Sequence, residues 1–553
     1  MAAGETNSGH FSRQAELWLA LLLTLASFGL RVYQVGSYSL SEDEAAKWQA
    51  IQQYRQGHFV AVNGEHPMLM KLFAWGSLSL GEQWNNRAIK NGWPTVAPET
   101  SLRLPNVIFG AATTFVLFLL SRALLGRVGA FAAASFWAFT PLPIALNRLL
   151  KEETLLVFFS LLGCYFYLRA KQTPRGIDHG RWMDLSALGF GLSFASKYAP
   201  QLFGLNALAW LVARRMGFDS RNLGSRLPRF FALIAITFIV SNPVIVVPSD
   251  VQSMLHWMRA GGSHHSGYNL DGTLYFNQPS LTHPTTPWYF YSWLLLVKTP
   301  LPVLAAVLVG SLLLLRRRDS LISPLFLTFG VIQFVGLSVF PGKWIRYVLG
   351  SLPFLYLAGG YAVQQLYEWL TRRGVAPRAL GLATVALAGW AFLGLRFWDP
   401  YYSLYLNALG GGPARIAHYF SPDEISELDA RETAAVVCQD PRRGVRMATS
   451  KPLSMEYYLQ SCGRKDIQVI PLYDRGYTPQ DGDLILVEDS RRYFETAKLL
   501  AWLRSSELPH EDVKVGPVLA TTIYYFRLPA PIGNHDYPNA NMVAEAKMRS
   551  TPR

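Results

Sequence analysis

The fold is decided at residues 103–146, RLPNVIFGAATTFVLFLLSRALLGRVGAFAAASFWAFTPLPIAL. Two apolar runs, 103–121 and 128–146, are each long enough as a helix to cross roughly 30 Å of hydrocarbon. The link between them carries Arg122 and Arg127. Charge kept to the first residue of the pair and to the link predicts a membrane hairpin rather than two helices of a water-soluble core. Outward from this pair the alternation repeats. An apolar stretch after Glu16 runs to about Tyr33, without a cleavage site behind it, and further runs lie near 153–169, 230–248, 288–314, 321–340, 344–368 and 379–397. The stretch 184–213 has Lys197 and Pro200 at its middle and reads as two short helices meeting at the far face. The expectation is a polytopic α-helical membrane protein with about eleven spans.

Composition agrees with a strongly apolar part averaged with a polar one: 50% of residues are hydrophobic, yet the mean hydropathy is only +0.16. The formal charge of +14 comes from basic residues that recur between apolar runs, which excludes a nucleic-acid partner and points to membrane orientation instead. With the polar residues 1–14 placed in the cytoplasm, five basic loops fall on that same side. They hold Arg122/Arg127, Arg169/Lys171/Arg175/Arg181, Arg214/Arg215/Arg221/Arg226/Arg229, Arg316/Arg317/Arg318 and Arg372/Arg373/Arg378. The opposite side receives the loops 34–102 and 249–287, short links at 147–152 and 341–343, and everything after about Asp399.

The membrane domain is expected over 15–412, and 413–530 reads as a small external α/β domain. AAVVCQD, IQVIPLY, DLILVED and VLATTIYYFRL look like strands, while SMEYYLQS and YFETAKLLAWLRSS look like helices. Residues 531–553 are polar and expected to be disordered. Cys438 and Cys462 lie in the 413–530 domain, where they pair if it faces an oxidising compartment and stay free thiols otherwise.

The external segments carry the chemistry. Ser41-Glu42-Asp43-Glu44 follows the first helix at the boundary where a lipid-linked phosphate would lie; a carboxylate there can take a proton from an attacking hydroxyl. The same residues match a capping box, Ser41 with Glu44, ahead of the helical AAKWQAIQQYR. Gly64-Glu65-His66-Pro67 lies further along this loop. Asn147-Arg148-Leu149-Leu150-Lys151-Glu152-Glu153 is a charged hinge flanked by apolar sequence, and such charge at membrane depth faces a cavity or a partner. Lys197 suggests an anion contact, with snorkelling as the alternative. Lys343 and Arg346 flank Trp344, where they could neutralise phosphate or anchor a helix. In the segment 249–287, Tyr268 joins the candidate cavity residues along with His264 and His265. These two histidines and His283 could ligate a metal with Glu65, although histidines of this kind more often make ordinary hydrogen bonds.

In their order these pieces resemble the membrane glycosyltransferases that draw sugar from a polyprenyl phosphate, the protein O-mannosyltransferases and the bacterial aminoarabinose transferases of the GT-C fold. Asp43-Glu44 resembles the family's acidic pair after the first helix. Glu65-His66-Pro67 resembles a Glu-Lys-Pro-Pro or His-Pro-Pro stretch, with Met68 in place of the second proline and His66 where the aminoarabinose enzymes have Lys. Arg103 resembles the Arg of an Arg-Leu-Pro start, Glu153 takes the place of an Asp, and GLSFASKYAP places Lys197. THPTTPWYFYSW places His283, KWIRYVLGSLP places Arg346, and DPYYSLYLNALGGG resembles the link to a soluble tail.

The resemblance spans roughly 15–412. It implies an inverting single displacement on the outer face of the membrane, with Asp43 as base and Glu44 orienting or holding the acceptor. Lys197, Arg346, Lys343 and His66 would bind the donor phosphate, while Arg103, Arg148, Glu153, His264, His265 and Tyr268 would line the cavity. A divalent metal, zinc, magnesium or manganese, would sit at Glu65 and His283. The implied partners are a polyprenyl-phosphate sugar donor, a protein, lipid or polysaccharide acceptor, and the bilayer. The alternative is a transporter or flippase of a lipid-linked sugar, which would bury its polar residues nearer mid-membrane.

Overall fold

The computed structural model describes residues 13–527 apart from 60–62, 175, 199–226, 250, 253–254, 256–266, 278–283, 317–321, 341, 377–378, 380–393, 422–426, 475–476, 489–492 and 494–495. Its N-terminal part is helical: α1 (Arg13–Val32), α2 (Glu42–Arg55), α3 (Met68–Asn91), α4 (Pro98–Leu124), α5 (Arg127–Phe139), α6 (Pro141–Asn147), α7 (Glu152–Gln172), α8 (Ile177–Ser196) and α9 (Leu227–Ser241). After a hairpin of β1 (Gly267–Leu270) and β2 (Thr273–Phe276) come α10 (Phe290–Lys298), α11 (Leu301–Arg316), α12 (Ile322–Val339) and α13 (Leu352–Arg372). Among the described residues α1, α4, α7 and α12 are long and apolar enough to cross a bilayer, and α5 with α6, bent by 57° at their junction, form a broken span or a re-entrant loop.

Several runs that read as single spans are broken, and prolines explain where. Thr140, with ψ 131° ahead of Pro141, separates α5 from α6. Thr299, with ψ 132° ahead of Pro300, splits the expected 288–314 helix into α10 and α11. The expected 344–368 span starts with a 3-10 turn, Ile345–Gly350, before α13. α8 stops at Ser196 and leaves Lys197 in extended backbone; the rest of the 184–213 stretch and nearly all of 379–397 lie outside the described residues.

Helix contact depends on small residues. A Cβ on Gly129 of α5 would lie 2.7 Å from the Gly360 carbonyl oxygen of α13, and one on Gly360 would lie 2.4 Å from that of Gly129. These backbones can approach only without side chains.

Beyond α1 the chain is gripped by buried arginines. Arg103 of α4 donates to the carbonyls of Val35 (2.9 Å), Tyr38 (3.1 Å) and Ser39 (2.6 Å), and both its Nε and Nη2 reach Glu44, at 2.8 and 2.7 Å. Arg148 donates to the carbonyls of Leu30 (3.1 Å), Tyr33 (2.7 Å) and Gln34 (2.9 Å). The loop 33–41 therefore hands its backbone acceptors to two guanidinium groups, and α2 starts from a fixed point.

The C-terminal part holds a five-stranded mixed sheet in the order β4 (Gln468–Pro471), β3 (Arg446–Thr449), β5 (Leu484–Glu488), β7 (Val518–Tyr525), β6 (His510–Val515). β3 runs parallel to β4 and β5, and β7 is antiparallel to β5 and β6. All five residues of β5 are buried, as a central strand covered on both faces requires. One face is covered by α16 (Ala497–Ser505) through Leu499, Leu500 and Leu503. The other is covered by α14 (Ala430–Gln439) and α15 (Pro452–Ser461), whose apolar residues share one cluster with Leu40 and with Ile51 of α2. AAVVCQD, expected as a strand, is part of α14. Its buried Ala430, Thr433, Ala434 and Val437 follow helical spacing, so one face of a helix, not alternate residues of a strand, meets the sheet. Cys438 and Cys462 form a disulfide that ties the end of α14 to the end of α15.

Burial alone would raise the Glu44 carboxyl, but Arg103 and the N–H groups of Leu150 and Ser41 hold it down at about 2, from an ordinary 4.5. Its stabilising contribution is thus complete above about pH 4.5 and lost as pH falls toward 2. Arg103→Met should leave Glu44 charged, buried and unpaired and destabilise the protein by about 3–5 kcal/mol, seen as a lowered unfolding midpoint in detergent at pH 7. An unchanged midpoint would show that the pair does not hold the loop.

Candidate functional site

At the N-terminus of α2 the Ser41 N–H donates to the Glu44 carboxylate at 2.9 Å, one half of the expected capping box. The cap aims Asp43 and Lys47, four residues apart on one helix face, at the first turn of α7. That turn opens with Lys151, Glu152 and Glu153, and its approach is pinned. Asn106 Nδ2 donates to the carbonyls of Leu149 (2.6 Å) and Lys151 (2.7 Å), and the Leu150 N–H donates to Glu44 Oε1 at 2.9 Å. Lys197 enters from the end of α8 and Arg346 from the 3-10 turn before α13.

These elements form one cluster. Lys151 is bonded directly to Asp43, and Arg346 Nη2 lies 3.9 Å from the same Asp43 oxygen. Arg346 Nε is 3.3 Å from Glu153, which also accepts from Lys197. Lys47 Nζ is 3.1 Å from Glu152, and His66 Nδ1 is 3.6 Å from that carboxylate. Tyr347 lies under Lys197 at 4.3 Å and Trp344 under Arg346 at 4.9 Å, so aromatic faces restrain both cations. Asp43 and Arg346 are the exposed edge, at 25% and 21%, while Lys47 and Glu152 are sealed at 0% and 2%. Burial alone would lower the Lys47 ammonium, but the Glu152 and Asp43 carboxylates outweigh it and raise it; burial pulls Lys151 down to about 8 and keeps the His66 imidazole neutral.

Asp43, Glu153, Lys197, Arg346 and His66 thus come together from five parts of the chain, and others do not join them. Glu44 is buried on Arg103 and two backbone N–H groups, so it is a structural carboxylate and has no room to hold an acceptor. Arg103 and Arg148, expected to line the cavity, are fully buried against carbonyls of the 33–41 loop. Lys343 is 1% exposed, with its ammonium on the carbonyls of Thr286 (3.2 Å) and Phe340 (2.7 Å), so it anchors a turn instead of meeting phosphate. Tyr268 packs edge-on to Phe290 in the apolar core, placed there by the Asp271-Gly272 turn of the β1–β2 hairpin. His264, His265 and His283 lie outside the described residues.

Glu65 accepts from Asn63 at 2.9 Å, and Lys71 braces the same turn by donating to the carbonyls of Asn63 (2.7 Å) and His66 (2.9 Å). Among the described residues no group of three or more His, Cys, Asp or Glu side chains is arranged to hold a metal. Glu65 alone does not make a cation site.

Sequence reasoning missed Lys47 altogether and gave Lys151 and Glu152 no role. The signal for Lys47 was its position four residues after Asp43; for Lys151 and Glu152 it was their place beside Glu153 in the hinge.

The sheet domain is built into this site. Glu42, the residue before Asp43, accepts from the N–H groups of Leu453 and Ser454, both at 3.0 Å, and from Ser454 Oγ at 3.2 Å. It therefore caps the first turn of α15. Arg431 of α14 bonds Glu99 at 2.7 Å and the carbonyls of Gly36 and Tyr38, each at 3.1 Å; Tyr458 of α15 accepts from the Leu40 N–H at 2.7 Å and donates to Glu99 at 2.9 Å.

Residues 95–246, which supply Lys151, Glu152, Glu153 and Lys197, match the profile of the dolichyl-phosphate-mannose-protein mannosyltransferase family. The structure is similar to ArnT from Cupriavidus metallidurans bound to undecaprenyl phosphate, with a TM-score of 0.50 and 13% identity over 92% of this chain and 97% of that one. It is also similar to the oligosaccharyltransferase from Archaeoglobus fulgidus tethered to an acceptor peptide, with a TM-score of 0.52 and 12% identity over 95% of this chain and 75% of that one. The chain has the GT-C fold. Among curated protein sequences no match is found. At these identities the likeness is one of fold.

Glu42→Ala should weaken docking of the sheet domain by about 1–3 kcal/mol, the cost of leaving buried donors without an acceptor. Amide exchange in α15 would then speed up while exchange in α7 stays as it was. Equal protection of α15 in both proteins would show that Glu42 does not couple the domains.

Proposed function

We propose that this GT-C protein is a membrane glycosyltransferase that moves a monosaccharide from a polyprenyl-phosphate donor to an acceptor hydroxyl on a protein, lipid or polysaccharide at the outer face of the membrane. One observation carries the reading: Asp43, from the first external loop, touches Lys151 and lies 3.9 Å from Arg346, whose other carboxylate partner, Glu153, also binds Lys197. An acid and a set of cations, far apart in sequence, meet at helix ends and not at mid-helix, which favours surface chemistry over transport.

In the reaction the acceptor oxygen attacks C1 of the sugar as the C1–O bond to phosphate breaks, inverting C1, and the hydroxyl proton passes to Asp43. The bonding pair leaves with the lipid phosphate, where Lys197, Arg346 and Lys151 stabilise it. Charge balance supports this division. Four cations, Lys47, Lys151, Lys197 and Arg346, face three carboxylates, Asp43, Glu152 and Glu153, leaving one positive charge for a phosphodiester. When Asp43 takes the proton the excess becomes two, matching the dianion that leaves. Undecaprenyl phosphate in the ArnT structure supports a donor of this class.

The inner membrane, with the N-terminus cytoplasmic and the sheet domain outside, is the placement that fits the basic loops and the Cys438–Cys462 disulfide. A divalent cation at Glu65 and His283 remains part of the proposal, to be checked by metal analysis of the purified protein.

Asp43→Asn should lower sugar transfer from a labelled polyprenyl-phosphate donor in proteoliposomes by at least about a thousandfold without loss of donor binding. Turnover at the wild-type rate would remove the base assignment. Lys197→Met should weaken donor binding by about tenfold or more, and unchanged affinity would take Lys197 out of the phosphate site.

A further inference from the structure

Asp43 is held by a cation. Its carboxylate is bonded to Lys151, with Arg346 3.9 Å away but closer, at 3.3 Å, to Glu153. A carboxylate closed on an ammonium is a poor proton acceptor, because taking the proton would forfeit that pair. The other carboxylates have other partners: Glu152 lies with Lys47 behind the exposed edge, and Glu153 is shared by Lys197 and Arg346. Lys151 differs from Lys47 and Lys197 in that its partner is the residue that must act.

The backbone around Lys151 is held by its neighbours. Asn106 holds the Leu149 and Lys151 carbonyls at 2.6 and 2.7 Å, and Glu44, itself locked on Arg103, holds the Leu150 N–H at 2.9 Å. What can move is the four-carbon side chain, whose ammonium accepts any anion within its sweep. The exposed edge of the cluster, Asp43 and Arg346, is where an anion would enter, and a phosphodiester there competes with Asp43 for Lys151.

We propose that Lys151 is a donor-operated switch. Without donor it blocks Asp43; when the donor phosphate binds, Lys151 transfers to it, and Asp43 is released to accept the acceptor proton. This rests on the function proposed above and adds a compulsory order, donor before acceptor. It gives the site a reason to keep a cation against its base: an unloaded enzyme has no active carboxylate.

The test is a double-mutant cycle on equilibrium binding of undecaprenyl monophosphate to the full-length protein in nanodiscs, read alongside sugar transfer by the wild type. Asp43→Asn, which frees Lys151, should bind the lipid phosphate about three- to tenfold tighter than wild type, and Lys151→Met about tenfold weaker, the size expected of one charge-assisted hydrogen bond. The double variant should bind no tighter than Lys151→Met. Lys151→Arg keeps the charge and should recover part of the affinity lost in Lys151→Met; failure of both variants to bind, with a lowered unfolding midpoint, would mark a folding defect. If Asp43→Asn does not tighten binding, or tightens it equally in the Lys151→Met background, the switch is wrong. The proposed function then stands as long as the wild type transfers sugar; absence of transfer with the binding cycle intact would overturn the function instead.

Discussion

The bidentate contact between Arg103 and Glu44 is the constraint from which the rest of the site follows. Both side chains are wholly buried, a placement that is costly unless every donor and acceptor is satisfied. Here that condition is met: Arg103 reaches three carbonyls of the loop after α1, and Glu44 receives the Ser41 and Leu150 N–H groups. One ion pair thereby fixes the exit of α1, the start of α2 and the approach to α7. With Arg148 gripping the earlier part of the loop, the carboxylate of Asp43 is delivered to the α7 turn by parts that have no freedom of their own.

The cluster that results is an alternation of charge and not a basic patch. Four cations within one small volume would repel strongly at low dielectric, and the interposed Glu152 and Glu153 make their assembly tolerable. The aromatic faces of Trp344 and Tyr347 add attraction without adding negative charge. With Asp43 counted, the cluster keeps a surplus of one positive charge.

Much of the architecture could be read from the sequence, because a bilayer imposes length and apolarity on a helix and leaves charge in the loops. The spans around α1, α4 and α7 follow directly, whereas breaks at Thr140 and Thr299 depend on a proline acting within an apolar run, where hydropathy is blind. The tail strands ending in β4, β5 and β7 were legible from their β-branched runs; α14 was mistaken because Ala-Ala-Val-Val suits either element until its buried face is known. In the site, Asp43, Lys197, Arg346 and Glu153 were legible by residue type and order. The division of labour between neighbours was not. Asp43 and Glu44 are adjacent in sequence but about 100° apart on a helix, so one faces the cluster and the other Arg103. Lys343 and Arg346 part company likewise, across a tight turn. Residue type shows that a charge needs a partner; only packing shows which partner it has.

The bond from Glu42 to α15 spans 411 and 412 residues of chain. At typical synthesis rates of about 5–20 residues per second, the two halves of that contact are made on the order of tens of seconds apart. The helix bearing Asp43 therefore emerges early and waits, its leading edge uncovered, while the spans are threaded into the bilayer. Its contact through Glu42 is completed only once α15 has been made. A chain cut short before α15 would carry all of the charged cluster without the contact that covers its leading edge.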